Sequence, residues 1–135
     1  ACVTQPWSPT VGRLKAKVED LTSQTMNHCV GNFYKNQQDF IGPHSDKMLD
    51  IKQGSCIASL SLGAARPVVL ERKQNQEQRQ EIQLPHGSLF IIGARTNQEW
   101  VHAIPSVQEE LGHRISLTIR QMATFRDTST GRITG

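Results

Sequence analysis

The chain has 135 residues, a formal net charge of +3 and 36% hydrophobic residues, which suits one domain with a core of its own. No run of about 18 apolar residues is present, so no membrane-spanning helix is indicated, and the small positive charge permits a polyanion partner without requiring one. Three widely spaced cysteines, Cys2, Cys29 and Cys56, fit small packed thiols in a reduced intracellular protein (nucleus and cytoplasm fit equally) better than a disulfide framework.

Ala1-Cys2-Val3-Thr4 has no Met, basic n-region or apolar h-region, and reads as a chain cut from something longer. In Pro6-Trp7-Ser8-Pro9, Ser8 can cap a helix and Pro9 suits its first position. Val11, Leu14, Val18 and Leu21 then repeat at helical spacing among charged residues, predicting an N-terminal amphipathic helix laid on an apolar surface. From Thr25 to Tyr34 the pattern predicts a strand with Asn32 and Tyr34 on one face and Phe33 packed on the other.

Lys35 to Asp39 reads as a loop and Gly42-Pro43 as a turn. His44-Ser45-Asp46 follows. On an extended segment the period of two sends His44 and Asp46 to the same side. With a distant second imidazole, and His102 is available, they would form the 2-His-1-carboxylate arrangement that leaves positions open for Fe(II) chemistry. Taken alone, the spacing more often marks a surface turn with a stray His.

Lys47 to Gly54 is expected to be loop. Cys56 to Leu62 reads as a strand buried on both faces and closed by Gly63. Pro67–Glu71 and Glu81–Leu84 read as a strand pair around a polar tip, Arg72 to Gln80, which is either solvated or a contact for nucleic-acid phosphates. Pro85 to Ser88 is a turn, Leu89 to Gly93 a strand, and Thr96 to Glu99 a short connection to Trp100-Val101-His102. In His113 to Arg120 the alternation is strict, with Arg114, Ser116, Thr118 and Arg120 on one face and Ile115, Leu117 and Ile119 on the other. The polar face either meets water or lines a cavity. His28, His86 and His113 lack the HxD context and are read as structural or solvent-facing, and Trp100 as packing. Residues 121–135 are polar, Thr-rich and expected to be poorly ordered. Short strands, one early helix and no βαβ rhythm indicate a mainly β (α+β) fold of jelly-roll type.

Asn32-Phe33-Tyr34, His44-Ser45-Asp46, Ile57 to Gly63, His86 to Leu89, Trp100-Val101-His102 and Arg114 to Arg120 occur in that order. Together they resemble the catalytic core of AlkB-type Fe(II)/2-oxoglutarate dioxygenases, the nucleic-acid dealkylases, over nearly everything from Trp7 to Arg120. The resemblance implies a double-stranded β-helix over residues 1–121, followed by a tail over 122–135. It also implies Fe(II), with 2-oxoglutarate and O₂ as cosubstrates, and alkylated DNA or RNA as substrate.

Carried over by position, His44, Asp46 and His102 would be the iron ligands. Arg114 would pair with the distal carboxylate of 2-oxoglutarate, with Asn32 and Tyr34 adding hydrogen bonds. Ser116 belongs to the same set, where many members have Asn. By the same resemblance Arg120 would lie nearer the metal, helping hold the cosubstrate or the substrate; six residues of strand put its α-carbon about 20 Å from that of Arg114, so the two cannot easily grip the same carboxylate. The reaction implied is decarboxylation of 2-oxoglutarate to succinate and CO₂ with hydroxylation of an N-alkyl carbon, releasing formaldehyde from a methyl group. A duplex base would have to be flipped out first.

Two departures bear on substrate. Met48, preceded by Lys47, stands where DNA-repair members carry an acidic residue that helps read the base, and a thioether is a poor acceptor beside a carboxylate. The family's nucleotide-recognition lid lies upstream of the segment matching Pro6-Trp7. The alternatives are therefore a hydroxylase of a protein or small molecule, and a catalytically silent β-fold that binds nucleic acid or protein.

Overall fold

The computed structural model describes residues 5–126 and 129–134. Cys2 lies outside that range. Helix α1 (Pro9–Thr22) begins as its sequence predicts: Ser8 is the N-cap, its Oγ accepting from the Val11 N–H at 3.3 Å, and Pro9 opens the first turn. The predicted apolar stripe is only partly used. Val18 is buried against Met26, Ala58 and Ile119, whereas Leu21 is 70% exposed. The helix docks through Val18, and its last apolar position faces solvent.

The remaining elements are β1 (His28–Tyr34), β2 (Ile41–His44), β3 (Ile57–Gly63), β4 (Arg66–Arg72), β5 (Asn75–Leu84), β6 (Leu89–Ile92), α2 (Ala94–Glu99), β7 (Trp100–Ile104), β8 (Arg114–Arg120), β9 (Phe125–Arg126) and β10 (Ile133–Thr134). One four-stranded sheet has the order β1-β8-β3-β6 and the other β2-β7-β4-β5, with every pairing antiparallel. From β1 to β8 the chain changes sheet at each step except within the β4–β5 hairpin. That winding is the jelly-roll, double-stranded β-helix expected from the sequence. The core lies between the sheets: Tyr34, Val68, Leu70, Leu84 and Ile104 form one cluster, and Ile51, Ile57 and Ile92 another, with Phe90 packed against both.

Five local expectations need correction. Gly42-Pro43 is not a turn but the middle of β2, whose register against β7 is irregular between Ile41 and His44. Thr96 to Glu99 is part of helix α2, which starts from Gly93 with no side-chain cap and is too short to carry a periodic signal. The polar segment after Arg72 is strand: the β4–β5 ladder runs from Arg66↔Leu84 to Arg72↔Asn75, leaving Lys73-Gln74 as the turn. β5 is an edge strand in which only Leu84 is buried, so nothing requires it to alternate. Phe33 does not pack into the core but is 57% exposed on edge strand β1, with its ring 5.5 Å from that of His113. The chain also stays tied to the body past Gln121: Met122 bridges Ile51, Ala123 N–H donates to the Asp50 carbonyl at 2.9 Å, and β9 pairs with β10.

Gly63 has a φ of 93°, and a Cβ there would collide with the His113 carbonyl oxygen. Glycine is thus required where β3 closes against the start of β8. Among the described residues no helix is long and apolar enough to cross a membrane.

Candidate functional site

The two sheets enclose a cavity, and all eight residues singled out by sequence line it: Asn32, Tyr34, His44, Asp46, His102, Arg114, Ser116 and Arg120. The polar face of β8 therefore looks inward, which periodicity alone left open.

At one end, β2 and β7 pair so that His44 lies directly opposite His102, the ring centroids 4.4 Å apart. Asp46 follows just after β2, with Oδ1 3.9 Å from His44 Nε2. One ligand atom from each of the three residues falls within 4.8 Å of the others. His44 Nδ1 is 2.9 Å from the Gly42 carbonyl. A carbonyl can only accept, so a hydrogen bond here is made by Nδ1–H, which in a metal-bound ring makes Nε2 the ligand atom. Burial, then the neighbouring His44, pushes His102 down to about 4, so its imidazole is neutral at physiological pH. Arg120 Nε stands 2.6 Å from Asp46 Oδ2, an ion pair whose N–H does not aim along a hydrogen bond. Two imidazoles and one carboxyl side chain, clustered at the end of the cavity, are the 2-His-1-carboxylate set that suits Fe(II).

At the other end Arg114 is 1% exposed. Its Nη2 donates to Ser61 Oγ at 2.9 Å and its guanidinium lies over the Tyr34 ring at 4.9 Å, while Nε and Nη1 have no partner. Burial lowers the Arg114 pKa, yet a guanidinium stays charged across the physiological range. A buried cation with two unused N–H donors fits a carboxylate. Asn32 and Tyr34 on β1 stand opposite Ser116 and Arg114 on β8, and Ser116 Oγ is 2.9 Å from Ser59 Oγ. The two arginines of β8 are thus separated in role as well as in position: Arg120 faces Asp46, and Arg114 faces Ser61 and Tyr34.

The other histidines stay outside this cluster. His86 Nδ1 accepts from the Gly63 N–H at 2.9 Å, and His113 Nδ1 contacts the Lys35 carbonyl at 2.7 Å. His28 is half-buried, with Nδ1 lacking a partner and its pKa lowered mainly by burial. Trp100 packs against the Tyr34–Val68–Leu70 cluster. Sequence reasoning missed Asn97 on α2 and Arg66 on β4. Both are fully buried polar residues, and neither belongs to a recognisable motif.

The model of the 2OG-Fe(II) oxygenase superfamily matches residues 2–120. The chain belongs to this superfamily. The DNA oxidative demethylase ALKBH2 of Bos taurus is 38% identical over 125 residues, covering 87% of this chain and 45% of the relative. The alpha-ketoglutarate-dependent dioxygenase alkB homolog 3 of Mus musculus is 36% identical over 124 residues, covering 84% and 43%. These likenesses make this oxygenase domain an AlkB-like core, spanning about half the length of the curated relatives it matches. The solved structure of OsALKBH1 superposes with a TM-score of 0.60 at 17% identity, over 82% of this chain and 60% of that one, which shows the shared fold. Membership in the superfamily implies Fe(II), 2-oxoglutarate and O₂, and both ends of the cavity fit the groups concerned.

Proposed function

We propose that this oxygenase core oxidatively removes N-alkyl groups from bases in DNA or RNA. His44, Asp46 and His102 would hold Fe(II), and Arg114 the distal carboxylate of 2-oxoglutarate. The observation that carries the reading is the two-ended cavity: a 2-His-1-carboxylate cluster at one end, and a buried arginine with unused donors at the other. When bound, the iron, 2-oxoglutarate and O₂ would supply the oxidation: one oxygen atom goes to the substrate C–H bond and the other to succinate, with CO₂ released.

The chain's own groups do the rest. Arg114 orients the cosubstrate from its far end, with Asn32, Tyr34 and Ser116 around it. Arg120 stands against the Asp46 side chain and limits where it can turn, and His102 stays unprotonated as a ligand must. All the catalytic groups precede Gln121, which supports a dioxygenase domain over 1–121 with a C-terminal appendage over 122–135. The free thiols Cys29 and Cys56 suit a reducing, intracellular setting. The relatives named DNA oxidative demethylase support alkylated nucleic acid as the substrate.

One observation favours a second reading, a hydroxylase of a protein or small molecule. Met48 offers a thioether where a base-reading acid would stand, and its Sδ already receives the Asn97 Nδ2–H at 3.0 Å. A silent binding fold is disfavoured, because burying Arg114 with idle donors is costly unless something uses them.

The test is anaerobic titration with Fe(II) and 2-oxoglutarate, watching for their visible charge-transfer band, followed by aerobic turnover with oligonucleotides carrying an N-methylated base. A band abolished in both His102→Ala and Arg114→Ala, with formaldehyde released from the oligonucleotide, is expected. A band without formaldehyde would move the substrate to the second reading, and no band in folded protein would end the enzyme reading. Weaker oligonucleotide binding as salt rises is expected of a phosphate-contacting enzyme.

A further inference from the structure

Helix α2 places one buried side chain, Asn97, in its middle, at 1% exposure. Asparagine is a poor helix-interior residue, so burial at this point calls for tertiary partners. They all lie just after β2. Oδ1 accepts from the Asp46 N–H at 2.9 Å, and Nδ2 donates to the Asp46 carbonyl at 3.0 Å and to Met48 Sδ at 3.0 Å. The amide orientation is unambiguous, because a backbone N–H only donates and a carbonyl only accepts.

These bonds grip the peptide groups on both sides of the Asp46 α-carbon. With N–H and C=O both held, φ and ψ have little freedom, and the direction of the Asp46 Cβ is set before the carboxylate meets any partner. The Arg120 ion pair restrains the carboxylate alone. Asn97 also belongs to the continuous α2–β7 segment that carries His102, whose β-strand partner is His44. One side chain therefore ties the backbone of the carboxylate ligand to the segment bearing an imidazole ligand.

We propose that Asn97 is a positioning residue for the metal: it holds Asp46 at the distance from His44 and His102 that a shared ion needs, although its hydrogen bonds go to the Asp46 backbone and not to its carboxylate. The proposal rests on reading the three residues as a metal site. Partners that orient ligands typically change metal affinity about 10- to 100-fold when removed.

The experiment is Mn(II) titration followed by the loss of the free-ion electron paramagnetic resonance signal, without 2-oxoglutarate or substrate, on wild type, Asn97→Ala, Asn97→Asp and Arg95→Ala. Asp matches Asn in size and can still accept from the Asp46 N–H, but its carboxylate cannot donate to the Asp46 carbonyl. Arg95→Ala alters the exposed face of the same helix. The expected result is Mn(II) affinity weakened about 10-fold or more in Asn97→Ala and less in Asn97→Asp, with Arg95→Ala at the wild-type value. The visible spectrum of the Co(II)-loaded protein should shift in the Asn97 variants, which a role confined to stability would not cause. Affinities within about twofold of wild type with an unchanged Co(II) spectrum would overturn the assignment, since partners of this kind carry larger effects. Asn97 variants that fail to fold before metal is added would overturn it as well, making Asn97 a determinant of the fold. Failure of the wild-type protein to bind Mn(II) is a different outcome, and it removes the metal-site reading itself.

Discussion

Two arginines, Arg66 and Arg114, are each 1% exposed and flank the same Tyr34 ring, at 5.5 and 4.9 Å. Their surroundings differ in one respect. Arg66 donates from Nη1 to the Asn36 carbonyl and from Nη2 to those of Asp39 and Pro105, leaving only Nε without a partner. Arg114 meets only the side chains of Ser61 and Tyr34, with no carbonyl to accept from it, and has two idle nitrogens, Nε and Nη1. The first is a staple that closes the loop after β1 onto the end of β7. The second is a buried cation prepared for an anion. Burial alone does not mark a ligand site, whereas unmet hydrogen-bonding capacity in a buried charge does.

The largest effect expected from this contrast is on stability. Arg66→Ala strands three carbonyls and should cost about 3–5 kcal/mol in urea denaturation. A loss below about 1 kcal/mol would mean that water replaces the guanidinium and that the staple is incidental. Arg114→Ala should act on binding instead, weakening 2-oxoglutarate affinity about 100-fold, or roughly 2.7 kcal/mol by calorimetry, with stability little changed. Equal effects of the two substitutions on both measurements would erase the distinction. Tyr34→Phe keeps the ring that both cations face and removes only the hydroxyl. A loss of about tenfold in 2-oxoglutarate affinity is expected, with stability within about 1 kcal/mol of wild type.

His102 responds to burial in the opposite way to the arginines, by giving up its charge. Its pKa is lowered from 6.5 to about 4, so between those values the unfolded chain binds a proton that the folded chain refuses. Stability of the metal-free protein should therefore fall as pH drops from 6.5 towards about 4, with no contribution from this group above that window. Denaturation curves across it should be flatter for His102→Gln, and an unchanged slope would place the acid sensitivity elsewhere. The smallest effect belongs to Phe33, whose exposed ring lies 5.5 Å from His113. Phe33→Ser should stay within about 0.5 kcal/mol of wild-type stability.

Much of the site was legible before any coordinates. The HxD spacing brought His44 and Asp46 to notice, although Asp46 lies just past the end of β2, and Arg114 to Arg120 alternate strictly because strand geometry maps sequence parity directly onto faces. Ser8-Pro9 announced α1 for an equally local reason. The misreadings occur where that local coupling fails. α2 is a short helix without a capping side chain, and β5 is an edge strand whose two faces are both solvated. Asn97 carries no motif because its partners, Asp46 and Met48, are distant in sequence.

Residue order and parity thus determined most of the strands, the jelly-roll class and which side chains of β1 and β8 share a face, since these follow from backbone geometry one residue at a time. Only the packing of the two sheets decided that the polar face of β8 encloses a cavity, that Phe33 is left bare, and that Arg66 is spent while Arg114 is free. Each of these depends on what a distant segment places opposite the residue. Burial and hydrogen-bond satisfaction are properties of that encounter, and no local pattern records them.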